Sequence, residues 1–520
     1  SFQVGTATGA QNQINVDIKS MNAAALQVGD VGIAYTADPS VTTPSAGVVS
    51  SAINTTTTSY MKEPAVHALA DGGYLTTWGD PTNDQLFAQR FDSNGSAVGE
   101  EIAVMDAGMT GINNRHDVAS LSDGGFIISF QAREAGAGAS TSYFQKYNAD
   151  GSKATPTVTN MDPETYSGNY GTVTGLAGGA FVTAWGHSGG GGVEQGQLYN
   201  SAAEQVGETF TINSPNSRTF GEQNRLLTLT NGDFVATWDA GKGLTGSDGN
   251  VYGRVYGADG TAKTDEFKIT NYPADVIPSG SFDTEVAALK GGGFVATWEA
   301  TGVPGGDTSS MGIYASIVSS DGVVGSPVLV NDLTDGFQGN PDVAALADGG
   351  FLIAFKDGGT VKGQRFDSTG SKLGTNFDAG NGSNASVAGL LDGSAVITFD
   401  TGGELFSSVI STGITAKSVG VMVTDPASSR SSITAIDGAI KTVNIQRSQL
   451  GAVSNRLNHT INNLTNISSN LSAAKGGIED ADFALETTNL AKNQILQQAS
   501  TAMLAQANAS KQNVLSLLQG

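Results

Sequence analysis

The sequence predicts two structural classes in one chain: a β-repeat region, best explained as a seven-bladed β-propeller, followed by long coiled-coil helices. Three observations lead to this prediction. An apolar strand ending in Trp or Phe recurs seven times, 65 of the 70 glycines precede residue 430, and apolar residues fall seven apart after Pro426. A turn-rich β region followed by glycine-poor helices accounts for all three.

The recurring strand reads YLTTW at 74–78, FVATW at both 234–238 and 294–298, and FLIAF at 351–355. Copies spaced by about 50 residues indicate a propeller or a solenoid. Because the closing aromatic residues have apolar neighbours in a strand, we assign them to the core of each repeat and not to a ligand-binding face. These residues are Trp78, Phe130, Trp185, Trp238, Trp298, Phe355 and Phe399.

Turn chemistry gives the strand order within a repeat. In DVAALADGGFLIAF, the pair Asp348-Gly349 separates two apolar runs and predicts a hairpin in which both turn residues have positive φ. A second glycine turn, at 367–370, follows a third strand and leads to a fourth. Four antiparallel strands per repeat fit a propeller blade; a β-solenoid or a row of small sandwiches also explains the repetition.

The seventh repeat is short and lacks the second Asp-Gly turn after FSSVI at 406–410. We therefore expect a strand from residues 45–60 to complete it and to close the ring, with Val48, Val49, Ala52 and Ile53 as candidates. Closure would bring both ends of the β region together, as an insertion into another domain requires.

The carboxy-terminal region predicts a helix with an apolar seam, which needs a partner because an isolated helix is marginal in water. An ordinary core helix is the alternative. The seam comprises Ile433, Ile436, Ile440, Val443, Leu450, Leu457, Ile461, Leu464 and Leu471. We expect Gly476-Gly477 to break the helix. A second helix would then contribute Phe483, Leu490, Ile495, Leu496, Leu504, Val514, Leu515, Leu517 and Leu518 to assembly.

The net charge of −23 is concentrated before the helices: residues 1–429 carry −25 and residues 430–520 carry +2. Such a charge disfavours binding to nucleic acid and anionic membranes. No apolar run is long enough to span a membrane, and the absence of cysteine excludes disulfides and thiol chemistry.

No motif in the sequence predicts a catalytic, cofactor or metal site. TGSDGN at 245–250 lacks the spacing of a calcium loop, and SGGGGVEQG at 188–196 opens no helix that could hold phosphate. The four histidines do not form an HExxH motif, and packing is the simplest explanation for His67 and His116. The sequence therefore predicts a protein that is not an enzyme.

From Ile433 onward the motifs QRSQLGAVSNRL, TINNL, IEDADFA, QILQQASTAMLAQAN and NVLSLL resemble the carboxy-terminal region of bacterial flagellin. Residues 2–26 resemble the β-hairpin and loop that end flagellin's amino-terminal core region. This resemblance implies four segments: 1–40 from the amino-terminal core region, 41–415 as a seven-repeat insert in the hypervariable region, 416–475 as a core helix, and 476–520 as an inner-tube helix.

The resemblance implies a structural subunit of the extracellular flagellar filament that polymerises with other flagellin subunits. It also implies an export chaperone and a filament cap as partners, while surface polysaccharide is a further candidate for the β region. The chain opens with SFQVG and lacks the family's amino-terminal helices, so we expect a truncated flagellin. The alternative function is a flagellin-derived cell-surface adhesin or glycan-binding protein.

Overall fold

A computed structural model describes residues 2–3, 13–14, 32–38, 41, 43–50, 52–54, 62–112, 116–134, 137, 140–161, 168–187, 194–213, 224–239, 250–270, 284–301, 303, 306–307, 310–419 and 426–519. The chain divides into two compact units. Ile33–Lys417 forms one, and Ser1–Gly32 together with Ser418–Gly520 forms the other.

The larger unit is a seven-bladed β-propeller, as the sequence predicts. Within the described residues, seven antiparallel sheets have four strands each. The first four strands of the chain are β1 (Phe2–Gln3), β2 (Gln13–Ile14), β3 (Gly32–Ala37) and β4 (Ser45–Val49). Blade 1 contains β5 (Lys62–Ala68), β6 (Tyr74–Asp80), β7 (Gln85–Phe91) and β8 (Ala97–Ala103). Blade 2 contains β9 (His116–Ser120), β10 (Phe126–Ala132), β11 (Thr141–Tyr147) and β12 (Thr159–Asn160).

The middle blades repeat this order. Blade 3 contains β13 (Gly168–Gly175), β14 (Phe181–His187), β15 (Glu194–Tyr199) and β16 (Gln205–Thr211). Blade 4 contains β17 (Arg225–Thr228), β18 (Phe234–Asp239), β19 (Val251–Tyr256) and β20 (Phe267–Lys268). Blade 5 contains β21 (Glu285–Ala288), β22 (Phe294–Thr301), β23 (Met311–Val318) and β24 (Val328–Leu329).

Blade 6 contains β25 (Gln338–Ala345), β26 (Phe351–Asp357), β27 (Thr360–Phe366) and β28 (Lys372–Asn381). Blade 7 contains β29 (Ser383–Gly389), β30 (Ala395–Thr401) and β31 (Glu404–Ser411), and β4 is its fourth strand. The first strands of the blades contact one another in sequence, from β5 through β9, β13, β17, β21 and β25 to β29, and β29 contacts β5 again. The repeats therefore form a closed ring, which excludes the solenoid.

The ring closes where the sequence predicts it. The strand β4 pairs antiparallel with β31, so that Val49 lies opposite Ser408 and Ala46 opposite Ile410. Farther along, Ile53 donates a backbone hydrogen bond to Leu405. The strands β3 and β32 (Ile414–Val419) form a separate two-stranded sheet beside this junction. The chain thus enters and leaves the propeller at one place.

The hairpin turns have a different geometry from the one the sequence suggests. Gly349 has φ of +95°, but Asp348 does not share the left-handed conformation. Leu346 accepts a hydrogen bond from the Gly349 amide, and the Asp348 carboxylate caps the Gly350 amide at 3.0 Å. The turn therefore needs one glycine with positive φ, and aspartate is favoured because its side chain binds the backbone.

Aromatic pairs across the second and third strands fill the space between blades. Trp78 stacks on Phe87, and the equivalent Trp298 stacks on Tyr314. A second row places Phe234, at the start of β18, against Tyr256, at the end of β19, with ring centroids 5.2 Å apart. Offset aromatic pairs of this kind add to the free energy gained by burial.

A single helix, α1 (Pro426–Leu518), follows the propeller in sequence. The prediction that Gly476-Gly477 divides it in two is wrong, because the helix continues through both residues. A helix interior tolerates glycine at a cost of about 1 kcal/mol per residue, and neither glycine stands next to a proline here. At the other end of the chain, β1 pairs with β2, with Phe2 opposite Ile14.

Candidate functional site

The apolar seam of α1 is largely exposed. Leu464 has 45% of its surface accessible and Leu471 has 69%. Val443 and Leu457 are half-buried, and the side chains of residues 433, 436 and 440 lie outside the description. All predicted assembly residues after Gly477 are exposed, including Phe483 at 71%. Exposed apolar side chains in a long row are typical of surfaces that contact a partner, and the assembly role of these residues stays a prediction.

The recurring aromatic residues have the opposite environment. All seven are buried, with accessible fractions from 0% to 2%. They lie within the blade walls and line neither of the cavities at the propeller's centre. Their position fits a role in packing.

The centre of the propeller contains a polar channel. Every blade contributes its first strand to the wall of a cavity of about 300 Å³. One position of that strand, immediately before a Val or Leu, forms what we call the channel ring. Its members, in blade order, are Ala65, Asp117, Thr172, Arg225, Glu285, Asp342 and Ser386.

Hydrogen bonds between channel-ring residues join neighbouring blades. The Asp117 carboxylate of blade 2 accepts hydrogen bonds from Thr172 Oγ1 at 2.5 Å and from the Val173 amide at 3.0 Å. The same arrangement recurs in blade 6, where Asp342 accepts from Ser386 Oγ and from the Val387 amide, both at 2.7 Å. The first strands of neighbouring blades belong to different sheets and are not paired by backbone hydrogen bonds. The two carboxylates therefore link these strands through side-chain hydrogen bonds.

An ion pair joins blades 4 and 5 at the same level. The Arg225 guanidinium donates through both Nε and Nη2 to the two carboxylate oxygens of Glu285, and the Nε contact measures 2.6 Å. Burial works to lower the pKa of Arg225, but the Glu285 carboxylate outweighs it and the net shift is upward. Arg225 is therefore a fixed positive charge on the channel wall.

Two histidines lie on the opposite side of the channel. His67 and His116 both line the cavity at the channel mouth, and the packing interpretation of the two residues stays a prediction. Burial lowers the pKa of both imidazoles, that of His116 to about 3, and each ring is therefore neutral at pH 7. His116 Nε2 contacts Thr77 Oγ1 at 2.7 Å, and Nδ1 has no hydrogen-bond partner in the described part of the chain.

The mouth of the channel is strained. Glu63, Asn340 and Asn384 of blades 1, 6 and 7 have φ values of +37°, +50° and +49°, which place three residues other than glycine in the left-handed region. Each lies at a β-bulge, where the pairing register shifts between the first and second strands. Bulges and strained residues of this type cluster at functional sites, because they redirect neighbouring side chains.

Sequence reasoning missed the channel ring, although the repeats contain a signal for it. Aligning the seven first strands shows Val or Leu at one position and Ala, Asp, Thr, Arg, Glu, Asp and Ser immediately before it. A position that varies among polar residues beside an apolar one indicates a wall facing a cavity.

Other predicted features add no site. Residues 245–249 of TGSDGN and 188–193 of the glycine-rich stretch lie outside the described residues, and His459 is exposed on α1. Across the part of the chain that the structure describes, no group of three His, Asp or Glu residues is placed to hold a metal ion. Among the same residues, no helix is long and apolar enough to cross a membrane.

Comparison with solved structures gives only weak similarity for the propeller. An α-L-arabinanase from Penicillium chrysogenum has a TM-score of 0.42 and 14% identity, covering 71% of this chain and 98% of that one. A protein from Dyadobacter fermentans gives 0.43 and 10%, with the same coverage. Scores this low carry no argument about function.

The helical region gives strong similarity. Polar flagellin A of Vibrio parahaemolyticus is 50% identical over 105 residues, which are 20% of this chain and 27% of that protein. B-type flagellin of Pseudomonas aeruginosa is 52% identical over 102 residues, 20% of each protein. The match therefore spans about a quarter or less of these relatives. Residues 433–518 also match the family model for the bacterial flagellin C-terminal helical region. The chain therefore carries a bacterial flagellin C-terminal helical region at residues 433–518, preceded in sequence by a seven-bladed propeller.

Proposed function

We propose that this protein is a structural subunit of the extracellular bacterial flagellar filament and displays its acidic propeller on the filament surface. The observation that carries the proposal is the exposed apolar seam of α1, within the region that is about half identical to flagellins. Leu464, Leu471 and Phe483 face solvent in a helix of 93 residues. Packing against other subunits would remove this apolar surface from water.

The propeller is suited to display because its fold is closed on itself. The Asp38 amide donates to the Gly413 carbonyl at 2.8 Å, so the chain enters and leaves the propeller at one point. The net charge of −25 over residues 1–429 would keep neighbouring propellers apart and soluble. No catalytic step is part of the proposal.

The resemblance to flagellin supports an export chaperone and a filament cap as further partners. Surface polysaccharide is a second type of partner for the displayed propeller. The channel of the propeller, with its charged and neutral polar side chains, favours that partner over nucleic acid or a metal ion.

Copolymerisation tests the proposal. The purified chain, labelled with a fluorophore, is mixed with depolymerised B-type flagellin of Pseudomonas aeruginosa and repolymerised. We expect label in the sedimented filaments, and gold-conjugated antibody against the propeller along their surface in electron micrographs.

A matched pair of substitutions separates specific assembly from adsorption. Leu471→Asp places a charge on the apolar seam, while Asn470→Asp places the same charge one residue away. Incorporation should fall with Leu471→Asp and persist with Asn470→Asp. Labelled chain that stays in the supernatant, or equal incorporation of both variants, would contradict the filament proposal.

A further inference from the structure

We propose that the mouth of the central channel binds a small neutral polyhydroxylated ligand, namely a monosaccharide unit or the end of a glycan chain. The site lies between the channel ring and the strained residues of blades 1, 6 and 7. This inference gives the displayed propeller a ligand class, but it concerns the propeller by itself and stands whether or not the chain polymerises.

The hydrogen-bonding groups at the mouth include both donors and acceptors. In the described residues, Arg225 uses three of its five N–H bonds, two on Glu285 and one on the Asn224 carbonyl. One N–H on each of Nη1 and Nη2 has no acceptor among the same residues. Asp117 and Asp342, two blades away on either side, supply carboxylate oxygens that each accept three hydrogen bonds within the protein and have one lone pair left. His116 Nδ1 adds a buried polar atom without a partner in the described part of the chain.

The balance of charge favours a neutral ligand. The carboxylates of Asp117 and Asp342 would repel a phosphate or a sulfate. A bare cation would meet the positive charge of Arg225 and no group of three ligating residues within the described chain. A sugar hydroxyl suits both sides, because it donates to a carboxylate and accepts from a guanidinium at the same time.

Apolar surface at the same mouth matches the C–H faces of a sugar ring. Pro64, Ala65, Pro341 and Ala385 line the opening beside the polar groups. All four belong to blades 1, 6 and 7. Pro64, Pro341 and Ala385 each come directly after one of the three left-handed residues, and Ala65 comes one residue later. Specific small-molecule sites combine an apolar lining with a few fixed polar groups, and the backbone strain here is consistent with a fixed site.

The binding test uses the full chain and defined probes. Methyl glycosides of glucose, galactose, mannose, fucose and N-acetylglucosamine are titrated to about 10 mM, the range of weak single-sugar affinities, with saturation-transfer NMR as the readout. We expect saturable transfer to at least one glycoside. Calcium chloride and sodium sulfate, titrated separately, should not displace it.

Two conservative variants locate the site. Asp117→Asn keeps an acceptor oxygen for the inter-blade bonds but removes the charge, and Asn340→Gly keeps the left-handed backbone but removes the side chain. Each should weaken binding about tenfold, or about 1.4 kcal/mol. The matched controls, Asp150→Asn in an exposed turn and Ala203→Gly at φ of +62°, should not change it.

Thermal unfolding of every variant establishes that the propeller remains folded. The proposal is overturned if no glycoside gives a saturable signal with folded wild-type protein. It is also overturned if calcium or sulfate binds the mouth instead, or if both folded channel variants bind as wild type does. None of these outcomes bears on copolymerisation, so the two proposals fail separately.

Discussion

Replacing Glu194 with glutamine should stabilise the propeller above pH 5. Glu194 begins β15 and only 2% of its surface is accessible. Burial raises its pKa to about 8, and the nearby Asp239 carboxylate adds to the shift. Its amide donates to Asn213 Oδ1 at 2.8 Å, a backbone contact that glutamine can keep. The substitution therefore removes the ionisable group and preserves the local hydrogen bond.

The magnitude follows from proton linkage. In the unfolded chain Glu194 ionises near its ordinary pKa of 4.5, whereas the folded protein holds the proton to about 8. The unfolded state therefore binds fewer protons between these values, and stability is lost as the pH rises from 4.5 to 8. Each pH unit costs about 1.4 kcal/mol, so wild type should be about 3 kcal/mol less stable than Glu194→Gln at pH 7.

Urea unfolding at several pH values, followed by tryptophan fluorescence, measures this difference. All four tryptophans lie in the propeller, at positions 78, 185, 238 and 298, so the signal reports on that unit. Glu208→Gln on the exposed β16 is the control and should follow wild type. The two stability curves should converge at pH 4 and separate above it. A difference between Glu194→Gln and wild type that does not change with pH would refute the linkage argument.

Three further predictions test other parts of the chain. Trp238→Ala should lower the free energy of unfolding, measured in urea, by about 3–5 kcal/mol, since the ring is fully buried. Trp238→Phe should lower it less, and equal losses would contradict the packing role. Replacing residues 39–412 with a two-residue turn between Asp38 and Gly413 should leave copolymerisation intact, since the backbones of Asp38 and Gly413 already share a hydrogen bond. If filaments no longer form, the propeller is part of the assembly interface. Amides of 479–518 should exchange rapidly with deuterium in the free subunit and slowly in filaments, and slow exchange in the monomer would contradict assembly-dependent helix stability.

The propeller could be predicted because its signals are local and repeated. Seven copies of an apolar strand ending in an aromatic residue set the number of blades, and the missing turn after 406–410 showed which blade needed an outside strand. The geometry of the hairpin turns was harder to predict from the sequence. The sequence identifies Asp348-Gly349 as a turn, but only the structure shows that the aspartate acts through its side chain.

The channel ring could not be assigned from one sequence because its members have unrelated chemistry. Arg225 and Glu285 are 60 residues apart and belong to different blades, so their pairing depends on ring closure. The continuity of α1 was missed for another reason. Two adjacent glycines weaken a helix, but the long helical segments on both sides of Gly476-Gly477 outweigh that local preference.

The two units differ in how they obtain their stability. The propeller buries its aromatic rows within one chain and completes blade 7 with β4, which precedes blade 1 in the chain. Arg365 strengthens this junction by donating to the Asp348 carboxylate and to the Thr412 carbonyl. The helix α1 leaves its apolar residues exposed along most of its length. A destabilising change in a blade should therefore affect the propeller of a free subunit, whereas a change on the seam should become visible only when subunits meet. Substitutions in the blades and substitutions on the seam should therefore separate the stability of the propeller from the assembly that we propose for α1.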